Sequence, residues 1–265
     1  MSSPSKAARP TTAELRAVSQ PSGTMMRRNG EHWAGRLYMR RISIHATRGF
    51  LALGWSPNSI TWLMIAVGLA AGPLLLIPGI VGAALAVVAI QLYLLLDCSD
   101  GEVARWTKRT SVTGVYLDRV GHYVVEATLM VFAGFRAAQS WGDTTAVASY
   151  GTLGVLAALG VVMVKSETDL VQVARYSSGL PQVGDSALAP RSRSLGLARR
   201  VASVLGVHRI TGAIEASLLL LVAAVVDQVR DDLTATRFLV WLFVAVALTM
   251  VVLHLASILA SRRLQ

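Results

Sequence analysis

The stretch LLLDCSDGEVARWTKRTSVTGVYLDRVGHYVVEA, Leu94 to Ala127, decides the reading of this chain. It opens as the end of an apolar run and then places Asp97, Asp100, Asp118, His122 and Glu126 in quick succession. Charged side chains at membrane depth cost about 3 kcal/mol or more each unless a partner compensates them, so acids embedded in apolar helices mark function. Asp97 and Asp100 stand three apart, on one face of a helix. Asp118, His122 and Glu126 follow at i, i+4 and i+8 on the next helix. Two facing stripes of oxygen and nitrogen ligands form a cup. Carboxylates that close resist ionisation together unless a cation neutralises them. Hard oxygen ligands suit Mg²⁺, Mn²⁺ or Ca²⁺. A divalent metal beside a diphosphate is a standard device for moving phosphoryl groups, and two ions serve better than one.

The rest of the chain supplies the apolar setting. Hydrophobic residues make up 54% of the 265, and charged residues only 15%. This composition excludes an ordinary soluble domain. The net charge is nevertheless +10. Its basic residues flank apolar segments, which points to cytoplasmic loops and anionic lipid headgroups and away from nucleic acid. Cys98 is the single cysteine, so no internal disulfide can form. The first 30 residues are polar, without the apolar core of a cleavable signal peptide, and are expected to be a disordered cytoplasmic tail.

A helix that crosses a membrane needs about 20 mostly apolar residues. Six segments meet this expectation: Ile60–Ile77, Ile80–Leu96 (continuing as a polar helix through Arg105), Val112–Ala138, Thr145–Val164, Ile210–Val226 and Phe238–Ala260. Pro57 with Asn58 or Ser59 starts the first, and Pro78–Gly79 turns it tightly into the second. Residues 31–56 mix Arg with Trp, Tyr, Leu, Ile and Phe, the pattern of an amphipathic helix lying in the interface. Lys165 to Arg209 reads as a basic loop, with a short surface helix near Leu195 to Leu205. The expected fold is therefore all-α: an integral membrane protein of six transmembrane helices, residues 57–265, preceded by an interfacial helix. Placing both termini and the cup on the cytoplasmic side of the cell membrane keeps most Lys and Arg inside and exports only Arg136, Arg230 and Arg237.

The spacing of the polar residues is also specific. It reads Asp97, two residues, Asp100-Gly101, two residues, Ala104-Arg105, eight residues, Gly114, three residues, Asp118, three residues, His122. This resembles the signature of the CDP-alcohol phosphatidyltransferase family, D-x2-D-G-x2-A-R-x8-G-x3-D-x3-D, at seven of its eight fixed positions with every gap kept. The six-helix layout and the entry PNSIT, Pro57 to Thr61, are similar as well.

The resemblance implies an enzyme that transfers the phosphoryl-alcohol part of a CDP-linked alcohol, most often CDP-diacylglycerol, to an alcohol acceptor and releases CMP. It implies Mg²⁺ or Mn²⁺, two ions, held by Asp97, Asp100 and Asp118, and the imidazole of His122 could add a fourth ligand. The nucleotide would lie against Asp97, Asp100, Gly101, Ala104, Arg105 and Gly114, the small residues allowing close approach and Arg105 neutralising phosphate; Asn58 and Thr61 read first as a helix cap and second as nucleotide-side contacts. Membrane lipids and a second copy of the chain, as a homodimer, are the implied partners. Apart from the resemblance, position alone offers Arg119 and Glu126 beside the acids, and Lys165 and Arg209 at helix ends, as acceptor contacts; Arg119 serves equally as an ion pair with Glu126 or Asp118, and Lys165 and Arg209 read first as ordinary positive-inside flanks. Where the family carries its last aspartate, taken to be the general base and a ligand, this chain has His122. An imidazole serves either role, and Glu126 one turn on is placed to hold its other nitrogen. The change also fits lost activity or an altered substrate. Two other classes remain open: an ion-coupled transporter, against which the acids gather at one face with no inverted repeat, and a phosphohydrolase using water at the same site.

Overall fold

The computed structural model describes residues 10–21, 33–138, 142–181, 209–261 and 264. Every regular element among them is helical. Helix α1 is Thr12–Ser19 and, after a π-helical turn at Gly35–Met39, α2 is Arg40–Ala52. There follow α3, Pro57–Leu74; α4, Gly79–Thr107; α5, Val112–Ala138; α6, Thr144–Ser177; α7, Ala213–Arg230; and α8, Thr234–Leu259. Among the described residues, α3, α4, α6 and α8 are long and apolar enough to cross a membrane. The polar residues Asp118, His122, Glu126 and Arg136 keep α5 out of that group, and Glu215, Asp227 and Arg230 do the same for α7.

Local chemistry sets the boundaries. Ser56 Oγ accepts from the Ser59 N–H at the start of α3. Gly79 opens α4 at φ 69°, a left-handed conformation that costs glycine nothing. Ser111 Oγ accepts from the Gly114 N–H at the start of α5, and Asp143 Oδ1 from the Ala146 N–H at the start of α6. Asp227 accepts from the Ala235 N–H at 2.7 Å and the Thr236 N–H at 3.0 Å, so one carboxylate near the end of α7 caps the start of α8.

Two expectations need correction. Part of the tail expected to be disordered is the ordered helix α1. Thr11 and Glu14 form a reciprocal capping box around it, and those bonds hold the Glu14 carboxyl below its usual range. Leu15 is fully buried, and this burial outweighs the polar composition around it. The expected loop from Lys165 is helical as far as Ser177, because Glu167, Val171 and Arg175 recur on one buried face of α6. The surface helix expected near Leu195 to Leu205 lies outside the described residues, as do Arg191, Arg193, Arg199, Arg200 and His208.

The chain forms two compact units, one from Met1–Gly68 with Ala89–His122, the other from Leu69–Val88 with Tyr123–Gln265. In the first, Glu102 on α4 is completely buried and gathers the N-terminal elements. Its carboxylate accepts from Ser43 Oγ at 2.6 Å, Thr47 Oγ1 at 2.7 Å and Gln20 Nε2 at 2.8 Å, and pairs with the Arg40 guanidinium at 3.3 Å. Tyr38 adds a hydrogen bond to Gln91 Oε1 at 2.6 Å. In the second unit, glycines permit the closest helix contacts. A Cβ on Gly134 of α5 would stand 2.3 Å from the Tyr150 carbonyl oxygen and 2.9 Å from the Gly154 Cα of α6. A Cβ on Gly160 would stand 2.8 Å from Ala247 Cβ of α8. Arg136 donates to the carbonyls of Leu75 at 3.1 Å and Gly79 at 2.8 Å, satisfying the turn between α3 and α4.

Candidate metal and nucleotide site

The site lies within the first unit. At the polar end of α4, Asp97 and Asp100 share a face, and Asp118 and His122 stand one turn apart on α5. His122 Nε2 is 3.3 Å from Asp97 Oδ1 and 3.5 Å from Asp118 Oδ1. One ligand atom from each of the three lies within 4.8 Å of the others. Two carboxylate oxygens and an imidazole nitrogen at this spacing suit a small divalent cation. The donor set therefore fits the metal that the sequence implies.

Tyr93 takes the other side of the histidine. It lies one turn before Asp97 on α4 and is almost completely buried. Its hydroxyl is hydrogen-bonded to His122 Nδ1, and the two rings meet edge to face, with centroids 5.6 Å apart. Glu126 was expected to hold that nitrogen. Tyr93 does so, while Glu126 pairs with Lys165 Nζ at 3.1 Å in the second unit. Nothing in the sequence separates Tyr93 from the apolar run around it, except that it stands four residues before the first signature aspartate.

A cavity of about 340 Å³ opens beside the acids, within the usual size range of small-molecule sites. Asn58, Thr61, Asp97, Asp100, Gly101, Ala104, Arg105, Gly114 and Asp118, all expected at the site, line it. Asp100 accepts from Thr61 Oγ1 at 2.6 Å, which orients its carboxylate. The two glycines have a more specific use than leaving open space. A Cβ on Gly114 would come within 2.9 Å of Asn58 Oδ1, and one on Gly101 within 3.1 Å of an Arg105 guanidinium nitrogen. Each glycine admits a polar side chain to the wall of the cavity. Arg40 and Arg109 line it too, which sequence reasoning missed. Arg40 stands outside the signature, and its approach depends on the fold around Glu102.

The other expected residues stand elsewhere. Arg119 is exposed on α5 and is not among the residues lining the cavity. In the second unit, the Lys165 ammonium lies over the Tyr123 ring, 5.8 Å from its centroid, and Tyr123 donates to Asp169 at 3.0 Å. Arg209 is half-buried at the start of its described stretch, and its carbonyl accepts from the Gly212 N–H at 2.8 Å.

The helical fold, with helices long and apolar enough to cross a membrane, thus sets a cluster able to hold a metal ion beside a cavity lined by acids and arginines. Residues 55–180 match the model of one family, CDP-alcohol phosphatidyltransferase. The matched segment contains the whole signature and both helices that carry it. The comparison with curated proteins gives no match.

Proposed function

We propose that this protein is a membrane transferase that moves the phosphoryl-alcohol group of a CDP-alcohol, CDP-diacylglycerol first among them, onto an alcohol acceptor and releases CMP. The observation that carries the proposal is the convergence of Asp97, Asp118 and His122 on one point at the wall of a cavity lined by Asp100 and three arginines. In this reading α3 to α8 all cross the cell membrane, α2 lies in its interface, both termini and the cavity face the cytoplasm, and the chain works as a homodimer.

Asp97, Asp118 and His122 would hold Mg²⁺ or Mn²⁺, with Asp100 beside them serving a second ion. The ions supply charge neutralisation on the diphosphate and make its phosphorus more electrophilic. Arg40, Arg105 and Arg109 take the remaining phosphate charge, with guanidinium forks suited to phosphate oxygens. Asn58, Thr61 and the backbone at Gly101 and Gly114 lie where the nucleotide enters. The acceptor hydroxyl attacks the phosphorus bonded to the alcohol. A bond forms from the acceptor oxygen to that phosphorus, the bond from phosphorus to the CMP oxygen breaks, and the hydroxyl proton leaves to a base.

His122 Nδ1 is engaged by Tyr93 and Nε2 faces two carboxylates. Its ring nitrogens are thus already committed, which favours a ligand role for His122. Asp118, the more exposed of the two facing aspartates at 41% against 26%, is the better placed to take the proton. Arg119, Glu126, Lys165 and Arg209 remain the proposed acceptor contacts.

The test is CMP release by the purified protein in detergent with Mg²⁺ or Mn²⁺. CDP-diacylglycerol and soluble CDP-alcohols are each offered against a panel of acceptors, with Asp100→Asn as control. Metal-dependent release that needs both an acceptor and Asp100 supports transfer. Release without acceptor would make the protein a phosphohydrolase. No release from any pair, with His122→Asp also silent, would refute the proposal.

A further inference from the structure

The N-terminal helix lies outside the matched segment, yet it reaches the cavity wall. Arg105 Nε donates to the Ser19 carbonyl at 2.6 Å, a contact across 86 residues at the last residue of α1. The next residue, Gln20, donates from one nitrogen to the Arg40 carbonyl at 2.9 Å and to Glu102 Oε1 at 2.8 Å. Glu102 in turn pairs with Arg40 at 3.3 Å. Arg40 and Arg105 are thus both cavity-lining cations and both bonded to the end of α1. Leu15, fully buried, and Ser19, nearly so, seat the helix on the protein.

We infer that α1 with Gln20 is a positioning element of the substrate site, which sets the affinity for the diphosphate by fixing the guanidinium groups of Arg40 and Arg105. A long arginine side chain loses rotamer freedom when it is fixed, so one already held in place binds at a smaller entropic cost. With the Ser19 carbonyl holding Nε, Arg105 is already oriented before ligand arrives, and its two terminal nitrogens keep their donors for a phosphate. Arg40 is restrained the same way, through its carbonyl by Gln20 and through its guanidinium by Glu102. Neither Ser19 nor Gln20 touches the reacting groups, so their effect runs through the two arginines. The inference rests on the proposed function for the identity of the ligand.

The experiment measures binding of CDP and of cytidine, which lacks the diphosphate, to the full-length protein in detergent with Mg²⁺. Wild type is compared with Gln20→Ala, which removes both side-chain bonds, and with Leu15→Asp, which unseats α1. CDP affinity is expected to fall about tenfold in Leu15→Asp and about threefold in Gln20→Ala, the scale of one charge-assisted contact loosened or lost. Cytidine affinity is expected to stay within about twofold of wild type, whereas general loss of structure lowers both affinities together. Should Leu15→Asp fail to fold, Gln20→Ala decides alone. Unchanged CDP affinity in the folded variants overturns the inference and leaves the transferase proposal standing. An equal fall for both ligands reduces α1 to a purely structural part and also overturns it. Wild type that binds no CDP removes the transferase proposal and this inference with it.

Discussion

Replacing Tyr93 with phenylalanine isolates the hydrogen bond to His122. Phenylalanine keeps the buried ring and its edge-to-face contact with the imidazole and deletes only the hydroxyl. A buried hydrogen bond contributes about 1 kcal/mol net, and a polar group left unpaired costs about 1–3 kcal/mol. The imidazole also regains freedom to rotate away from the point where its Nε2 meets Asp97 and Asp118. Groups that orient a ligating histidine typically account for about 10- to 100-fold in metal affinity, or about 1.4 to 2.8 kcal/mol at 1.4 kcal/mol per decade. The assay is Mn²⁺ binding to the purified protein in detergent without nucleotide, followed by electron paramagnetic resonance of the free ion. His122→Ala is the reference for loss of the ligand itself. Tyr93→Phe should bind Mn²⁺ at least about tenfold more weakly than wild type. A Kd within about twofold of wild type would refute the reasoning, because the hydroxyl would then do nothing for the histidine that the ring alone does not.

Three further outcomes are expected. Glu102→Ala strands three hydrogen-bond donors and one arginine in a buried site, a loss of about 3–5 kcal/mol; it should make the segment before α3 sensitive to protease at temperatures where wild type resists. Gly154→Leu on α6 drives a side chain against the Met130 and Val131 carbonyls, which an added Cβ alone would meet at 2.8 and 2.9 Å. Overpacking of this kind costs about 1–3 kcal/mol or more, read as a lower unfolding temperature in detergent. His122→Asp replaces a nitrogen ligand with oxygen and should move metal preference from Mn²⁺ towards Mg²⁺ in direct binding; an unchanged preference would take His122 out of the donor set.

Much of the site was legible because its residues lie close in sequence and their spacing maps directly onto helix faces. Asp97 to His122 needed only two helices and a short turn, and the boundaries of α5, Val112 and Ala138, follow from capping and composition. The missing parts depend on distant partners. Glu102 occupies a variable position between fixed ones, and its partners Ser43, Thr47 and Gln20 are 59, 55 and 82 residues away. Helix α1 has only eight residues and a polar composition, so nothing local reveals that Leu15 will be buried. Tyr93 is masked by the apolar run that carries it. Lys165 to Ser177 looked like a loop because its charges end the hydrophobic run, yet the helical period persists beneath them.

The glycine contact between α5 and α6 bears on how such a chain enters a bilayer. On its own α5 carries too many polar groups to be counted among the spanning helices, whereas its successor α6 is amply apolar. Backbones that meet as closely as Gly134 and Gly154 gain dense packing, which drives helices together in lipid where hydrophobicity cannot. Consecutive helices that fit each other so well can leave the insertion machinery as a hairpin, the greasy partner carrying the reluctant one. In the proposed topology, where α5 crosses the membrane, the two glycines belong to biogenesis as much as to the finished fold, since they let the segment with the costliest side chains be delivered in company.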